Sequence, residues 1–309
     1  MDKIAILIPC YNEEVTIGKV VQDFKRELPA ADIYVYDNNS KDQTAAVAAS
    51  HGAIVCHEYR QGKGNVVRTM FRNIEADVYV LVDGDDTYPA ETVHALIDPV
   101  LTGEADMTIG DRQSNGTYAK ENKRPLHNFG NRLVCKLINQ LFGASLQDIM
   151  SGYRAFNHKF VKNIPILSSG FQIETEMNLH ALDKRFLIKE VPIAYRDRPD
   201  GSFSKLNTFH DGFLVLKTIF WVFKDYRPLV FFSYMSLVLL IAGMATGMPV
   251  LAEFAETRYI TKVPSAILAV GFVMLSSVSL TCGFILNTIV RQHRETYELM
   301  LSRNILHNQ

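Results

Sequence analysis

Along the first 111 residues, short apolar runs that end in polar clusters alternate with segments whose apolar residues recur at three- and four-residue spacing. Ile4 to Ile8 reads as a strand closed by Pro9, Glu14 to Leu28 as a helix, and Ile33 to Tyr36 as a second strand ending at Asp37. A helix from Asp42, a strand from Ala53 to Cys56, a helix after Gly64, a strand at Val78 to Val82, a helix near Pro89 and a strand from Met107 to Ile109 follow. Strands alternating with helices of this length predict βαβ units: an α/β fold with a Rossmann-like, mostly parallel sheet and right-handed crossovers. The run at Val78 is wholly apolar and stops at Asp83-Gly84-Asp85-Asp86, the pattern of a central strand covered on both faces. Ligands of such sheets bind at the carboxyl ends of the strands, so three polar strand ends are expected to meet on one edge.

Beyond Gly110-Asp111-Arg112 the pattern changes. Lys120 to Arg124 is basic and loop-like, and Pro125 suits the first turn of a helix running to Phe142. Asp148 to Arg154 reads as a polar turn, followed by a helix around Glu174 to Leu182 and a strand around Leu187 to Tyr195. Between Thr208 and Phe223, Phe209, Phe213, Leu216, Ile219, Phe220 and Phe223 form a stripe that predicts an amphipathic helix at a membrane interface. Leu229 to Ala252 and Val263 to Val290 carry no charge, and each exceeds the roughly 20 residues a helix needs to cross a bilayer. The expected division is a globular domain over 1–205, an amphipathic juxtamembrane helix over 206–227, a two-helix transmembrane hairpin over 228–290 and a tail over 291–309.

Charge and composition sharpen this picture in three places. Formal net charge is −1 over 309 residues, so bulk electrostatics point away from nucleic acid. Lys224 and Arg227 precede the first span and Arg291 and Arg294 follow the second, whereas the connecting loop mixes Glu253, Glu256, Arg258 and Lys262. The positive-inside rule then puts the globular domain and both termini in the cytoplasm of a multi-pass protein of the inner or cell membrane. The N-terminus enters an apolar run with no signal-peptide pattern, and Cys10, Cys56, Cys135 and Cys282 show no metal-ligand spacing, as suits a reducing compartment. Small residues in the spans, Gly243, Gly247, Ser276 and Ser277, leave room for close helix packing and so for a homo-oligomer.

The candidate chemistry sits on the strand ends. Asp83 and Asp85, separated by one small residue, suit a hard divalent cation that takes its other ligands from substrate phosphates, although the same residues would also make a solvated turn. Pro9, Tyr11 and Glu13 after the first strand, with Asp37 after the second, add a ring and carboxylates able to accept from a nucleobase or ribose. Gly62-Lys63-Gly64 fits neither GxxxxGK nor GxGxxG and reads as a turn before a helix.

In this order, with the Gly110-Asp111-Arg112 strand end, these motifs resemble the family 2 glycosyltransferases of the GT-A fold. Asp148-Ile149-Met150-Ser151-Gly152-Tyr153-Arg154 and the segment from Arg198 to Lys205 resemble the polyprenyl-phosphate branch, which includes dolichyl-phosphate mannose synthase and bacterial undecaprenyl-phosphate sugar transferases. The resemblance implies a membrane-anchored, inverting transferase that moves one sugar from a nucleotide-sugar, UDP-linked by expectation, to undecaprenyl phosphate for cell-envelope glycan modification. Pro9, Tyr11, Glu13, Asp37 and Asp83 would bind the donor nucleotide, and Asp83 and Asp85 would hold Mg²⁺ or Mn²⁺. Asp85, Arg112, Arg124 and Asp148 would serve catalysis, while Arg124, Arg198, Ser204 and Lys205 would face the acceptor and its phosphate. Related synthases often carry Gln where this chain has Thr87, which leaves Thr87, water or Asp86 as the third ligand. The alternatives are a processive polysaccharide synthase, for which the single Trp221 lies in the wrong region, and a non-catalytic nucleotide-sugar sensor or adaptor.

Overall fold

The computed structural model describes residues 2–114, 125–170, 172–199, 217 and 220–307. The chain divides into two units, 1–215 and 216–309.

The first unit is built on a seven-stranded sheet. Its strands are β1 (Ile4–Cys10), β2 (Asp32–Asp37), β3 (Ile54–His57), β4 (Val78–Leu81), β5 (Met107–Asp111), β6 (Arg154–Asn157) and β7 (Ile188–Pro192), in spatial order β3-β2-β1-β4-β6-β5-β7. β6 pairs antiparallel with both β4 and β5, whereas β1–β2, β1–β4, β2–β3 and β5–β7 are parallel. Six strands therefore end at one edge, and the single reversed strand begins there. That reversal delivers residues 148–153 to the edge where Asp37, Asp83 and Asp111 also emerge.

The helices are α1 (Ile17–Glu27), α2 (Thr44–Ser50), α3 (Lys63–Asn73), α4 (Val93–Leu101), α5 (Pro125–Phe142), α6 (His158–Asn163) and α7 (Ile173–Asp183). α1 buries Ile17, Val20, Val21 and Phe24, one stripe of an amphipathic helix, in a core with Ile6, Ile8, Val35, Val80 and Tyr153. The α2 start is fixed by Asp42, whose Oδ1 accepts from Thr44 N at 3.1 Å and Thr44 Oγ1 at 2.5 Å.

Residues 148–154 are not simply the expected turn, because Arg154 opens β6 and α6 follows directly. A charged first residue hides this strand in the sequence. Arg154 is fully buried, its guanidinium donating to Ser151 O at 2.8 Å, Ile149 O at 3.0 Å and Asn178 Oδ1 at 2.8 Å. Burial without a carboxylate partner in contact lowers its pKa to about 10.

In the second unit, residues 220–226 are helical. They are followed by α8 (Pro228–Thr257) and α9 (Val263–His307), 30 and 45 residues long. Both contain windows long and apolar enough to cross a membrane, with mean hydropathy 2.1 and 2.0, of which only 11% and 22% is buried. A soluble core helix would hide such a surface, and these expose it. α9 runs unbroken past residue 290, so the expected tail begins as helix. Gly243 lies where a Cβ would be 3.0 Å from Val273, and Gly247 where one would be 3.2 Å from Ala269. Ser276 Oγ donates to Ser236 O at 2.9 Å, and Ser277 Oγ to Val273 O at 3.2 Å. Gly243, Gly247 and Ser276 thus pack inside the hairpin, whereas Ser277 is exposed and bonds within its own helix.

Candidate functional site

Loops after β1 and β2 are stitched together before any ligand enters. Asn12 N donates to Ser40 Oγ at 2.9 Å, Glu13 N to Thr44 Oγ1 at 2.8 Å, and Lys41 N to Asn12 Oδ1 at 2.7 Å. Asn12 and Asn39 take the left-handed conformation, φ 53° and 64°, which a short amide side chain tolerates. Pro9 and Cys10 pair in register with Tyr36 and Asp37, and Tyr11 follows half-buried. Asp37 is 5% exposed; its Oδ2 accepts from Ser40 N at 3.2 Å and faces His57 Nδ1 at 3.5 Å. Its Oδ1 is buried with no hydrogen-bond partner, an open acceptor of the kind a nucleoside N–H or hydroxyl would satisfy.

β4 delivers two carboxylates to the same edge. Asp85 is 5% exposed, with Oδ1 accepting from Thr87 Oγ1 at 2.6 Å and Oδ2 2.5 Å from Arg198 Nη2. Arg198 Nη1 also lies 4.0 Å from Glu13 Oε1, which joins the β1 and β4 ends through one guanidinium. Burial first, and then the Asp83 charge, push the Asp85 carboxyl above the usual carboxylate range, against the pull of Arg198. Asp83 Oδ1 is 2.6 Å from Lys63 Nζ, which is also 2.6 Å from Glu174 Oε1. Burial opposes the Lys63 charge, but the two carboxylates outweigh it and hold its pKa above the ordinary lysine value. Asp86 sits in the left-handed region, φ 58°, with Oδ1 2.7 Å from Lys19 Nζ.

This donor set suits Mg²⁺ or Mn²⁺. It offers oxygen ligands only, on a buried carboxylate whose charge is raised in cost by a like-charged neighbour and lowered by any cation placed beside it. Thr87 Oγ1 donates to Asp85 and keeps its lone pairs, and Asp86 faces Lys19. Among the described residues no group of three or more His, Cys, Asp or Glu could hold a metal ion. The remaining coordination would come from water or substrate oxygen.

On the far side of the edge, Arg112 and Asp148 form a bidentate pair, Nε to Oδ2 at 2.6 Å and Nη2 to Oδ1 at 2.9 Å. Arg112 is 6% exposed and Asp148 fully buried. Burial raises the Asp148 pKa but Arg112 more than offsets it, leaving the carboxyl below its usual range. Arg112 Nη1 reaches Tyr88 Oη at 3.4 Å, and the guanidinium stands 5.7 Å over the Tyr195 ring. Asp148 thus fixes the orientation of Arg112, and the two residues expected to serve catalysis are paired with each other. Arg124, Ser204, Lys205 and most of the amphipathic stripe lie outside the described residues.

Sequence reasoning missed Lys63, Glu174, Tyr88 and Glu190. Tyr88 Oη accepts from Gly152 N at 2.9 Å, and Glu190 Oε1 accepts from Asp148 N at 2.9 Å, so both shape the 148–153 loop. Gly152 has no room for a side chain: a Cβ there would lie 2.5 Å from Asp83 Oδ2. Gly62 does cap α3, as a turn before a helix should, with φ 126°. Gly62-Lys63-Gly64 was nevertheless the one visible signal for Lys63.

The profile described as Glycosyl transferase family 2 matches residues 5–164. Glycosyltransferase AglJ of Haloferax volcanii is 31% identical over 295 residues, 95% of this chain and 96% of its own. The dolichyl-phosphate hexose transferase of the same organism is 30% identical over 226 residues, 73% of this chain and 96% of its own. Among solved structures, glucosyl-3-phosphoglycerate synthase from Mycobacterium tuberculosis with Mn²⁺ and UDP-glucose gives a TM-score of 0.56 at 22% identity, over 71% of this chain and 79% of that one. This last likeness bears on the fold alone.

Proposed function

Given that the chain belongs to glycosyl transferase family 2, is a glycosyltransferase and has the GT-A fold in its first unit, we propose that it moves a single hexose-type sugar from a UDP-sugar to undecaprenyl phosphate, with inversion. The observation that carries the reading is the buried Asp85, which shares one strand edge with Asp83, the open Asp37 acceptor and the Arg198 guanidinium. Its relatives support the acceptor class, since one is named a dolichyl-phosphate hexose transferase. Two exposed apolar helices suit a protein whose acceptor is a lipid. The catalytic unit and both termini are assigned to the cytoplasm on the charge asymmetry of the flanking segments.

The chain's own residues divide the work. Asp37 accepts from the nucleoside through Oδ1, with Pro9, Tyr11 and Glu13 lining that end. Asp85 holds Mg²⁺ or Mn²⁺, and Asp83 lies beside it against the donor nucleotide. When bound, the metal neutralises charge on the departing diphosphate as a Lewis acid. Arg198 exchanges Asp85 for phosphate oxygens, which it meets bidentately together with Arg124, Ser204 and Lys205. Asp148 holds Arg112 in one orientation. A phosphate monoester is already an anionic nucleophile near neutral pH, so no residue is needed to remove a hydroxyl proton. Alignment of two anions is the main task, and fixed cations perform it.

The test is incubation of detergent-solubilised protein with radiolabelled UDP-sugars, undecaprenyl phosphate and Mg²⁺ or Mn²⁺, followed by organic extraction. A labelled sugar lipid that disappears with EDTA is the expected result. Label found in water-soluble product alone rejects the lipid acceptor, and undiminished product in EDTA rejects the metal.

A further inference from the structure

The Gly62-Lys63-Gly64 turn supplies a charge that the scheme above leaves unused. Only 8% of the Lys63 side chain is exposed, and its ammonium joins the end of β4 at Asp83 to the first turn of α7 at Glu174. The surroundings are built closely about it. A Cβ on Gly62 would lie 2.1 Å from Ser169 O, and one on Gly64 would lie 2.1 Å from Ser168 O. Glu176 fixes that opposing loop by accepting from Leu167 N at 2.8 Å and Ser168 N at 2.9 Å. An apolar side chain of similar length would fill the space without the cost of burying a charge. The ammonium does what such a side chain cannot: it restrains Asp83 beside the like-charged Asp85.

We propose that Lys63 is a positioning residue of the transfer site. Anchored by Glu174, it keeps Asp83 as an acceptor for the donor nucleotide and out of the metal shell, so that Asp85 is the one aspartate of the pair that ligates the cation. The proposal rests on the metal and nucleotide parts of the reading above, and it is independent of the lipid acceptor. A unit positive charge next to one of two adjacent carboxylates weakens their joint attraction for a divalent ion and favours an anionic diphosphate. Removing it therefore moves the two affinities in opposite directions. Lost packing alone would weaken both.

The experiment uses the full-length chain in detergent and the double variant Lys63→Met/Glu174→Gln, which removes the ammonium and neutralises the carboxylate it would strand. Glu174→Gln and Lys63→Arg are the references. Mn²⁺ binding without nucleotide is read by electron paramagnetic resonance, and binding of UDP and of GDP at saturating Mn²⁺ by calorimetry. The double variant is expected to bind Mn²⁺ at least about threefold tighter than Glu174→Gln and nucleoside diphosphate about tenfold more weakly, with Lys63→Arg within about twofold of the unaltered chain. Unchanged or weaker Mn²⁺ binding in the double variant overturns the proposal. Should that variant not fold, Lys63→Gln, which keeps a donor towards Glu174, carries the same expectation and the same refutation. An unaltered chain that binds no Mn²⁺ would instead sink the metal reading from which the proposal starts.

Discussion

The two sides of the sheet edge handle charge differently. At the ends of β1, β2 and β4, the charges at the mouth of the site keep some contact with solvent, Arg198 and Asp83 each being 28% exposed at the side chain, although Lys63 behind Asp83 is only 8% exposed. Around β6, β5 and the 148–153 loop, the charges are sealed: Arg112 and Asp148 are 7% and 0% exposed at their side chains, and Arg154 is fully buried. Charges of the first kind can exchange partners with a ligand. Charges of the second kind hold the edge in shape, because breaking a buried pair leaves an uncompensated ion. Substitutions on the two sides should therefore separate activity from stability.

The largest effect on activity is expected at Asp85. Asp85→Ala should lower sugar-lipid formation by about a thousandfold or more, the scale of losing a main electrostatic contact of the reaction. Stability should change by about 1 kcal/mol or less, since Arg198 can rehydrate. Rate and melting temperature measured on the same preparation check both halves. A large drop in melting temperature would place Asp85 with the sealed charges.

Asp148→Ala should do the reverse, destabilising the fold by about 3–5 kcal/mol because the buried Arg112 loses its bidentate carboxylate. The Asp148 pKa lies below its unfolded value, so the pair's contribution is fully present above the unfolded carboxyl pKa and is lost as pH falls through the lowered folded value. Chemical denaturation at neutral and acidic pH measures this. If Asp148→Ala removed activity at unchanged stability, Arg112 would belong with the ligand-exchanging cations.

Gly152 tests the seam between the two sides. Gly152→Ala puts a methyl into Asp83, so that carboxylate must shift, and small displacements at a reacting centre cost about a hundredfold in rate. The loop itself should lose little stability. Steady-state kinetics with wild-type melting behaviour is the expected outcome, and full activity would mean that Asp83 has room to move.

How much of this was legible before folding follows the same division. β1, β2 and β4 are bare apolar runs with acids at their ends, so strand and site residue could be read together. β6 escaped because it is four residues long and begins with a buried arginine, and no local pattern distinguishes a buried charge from a solvated one. Lys63 was visible as part of a glycine-rich turn, but its partner Glu174 is 111 residues away. Only the sheet order brings those groups together. The pairing of Arg112 with Asp148 has no local signal for a similar reason: the two are 36 residues apart and meet only because β6 runs backwards.

The finest test concerns the interaction inside the acidic pair. Burial is the main cause of the raised Asp85 pKa, and the charge of Asp83 adds to it. Asp83→Asn removes only the second contribution, so the Asp85 pKa should fall. Proton competition at Asp85 would then set in at lower pH. In a titration of Mn²⁺ binding against pH, the acid limb should move down. Measuring metal binding separates this shift from any loss of nucleotide contact by the same substitution. An acid limb that stayed in place would mean that Lys63 already cancels the Asp83 charge as seen by Asp85, and one that moved up would mean that Asp83 itself ligates the ion. The direction of the shift thus reports whether the two aspartates act as a metal-binding pair or as neighbours with separate tasks.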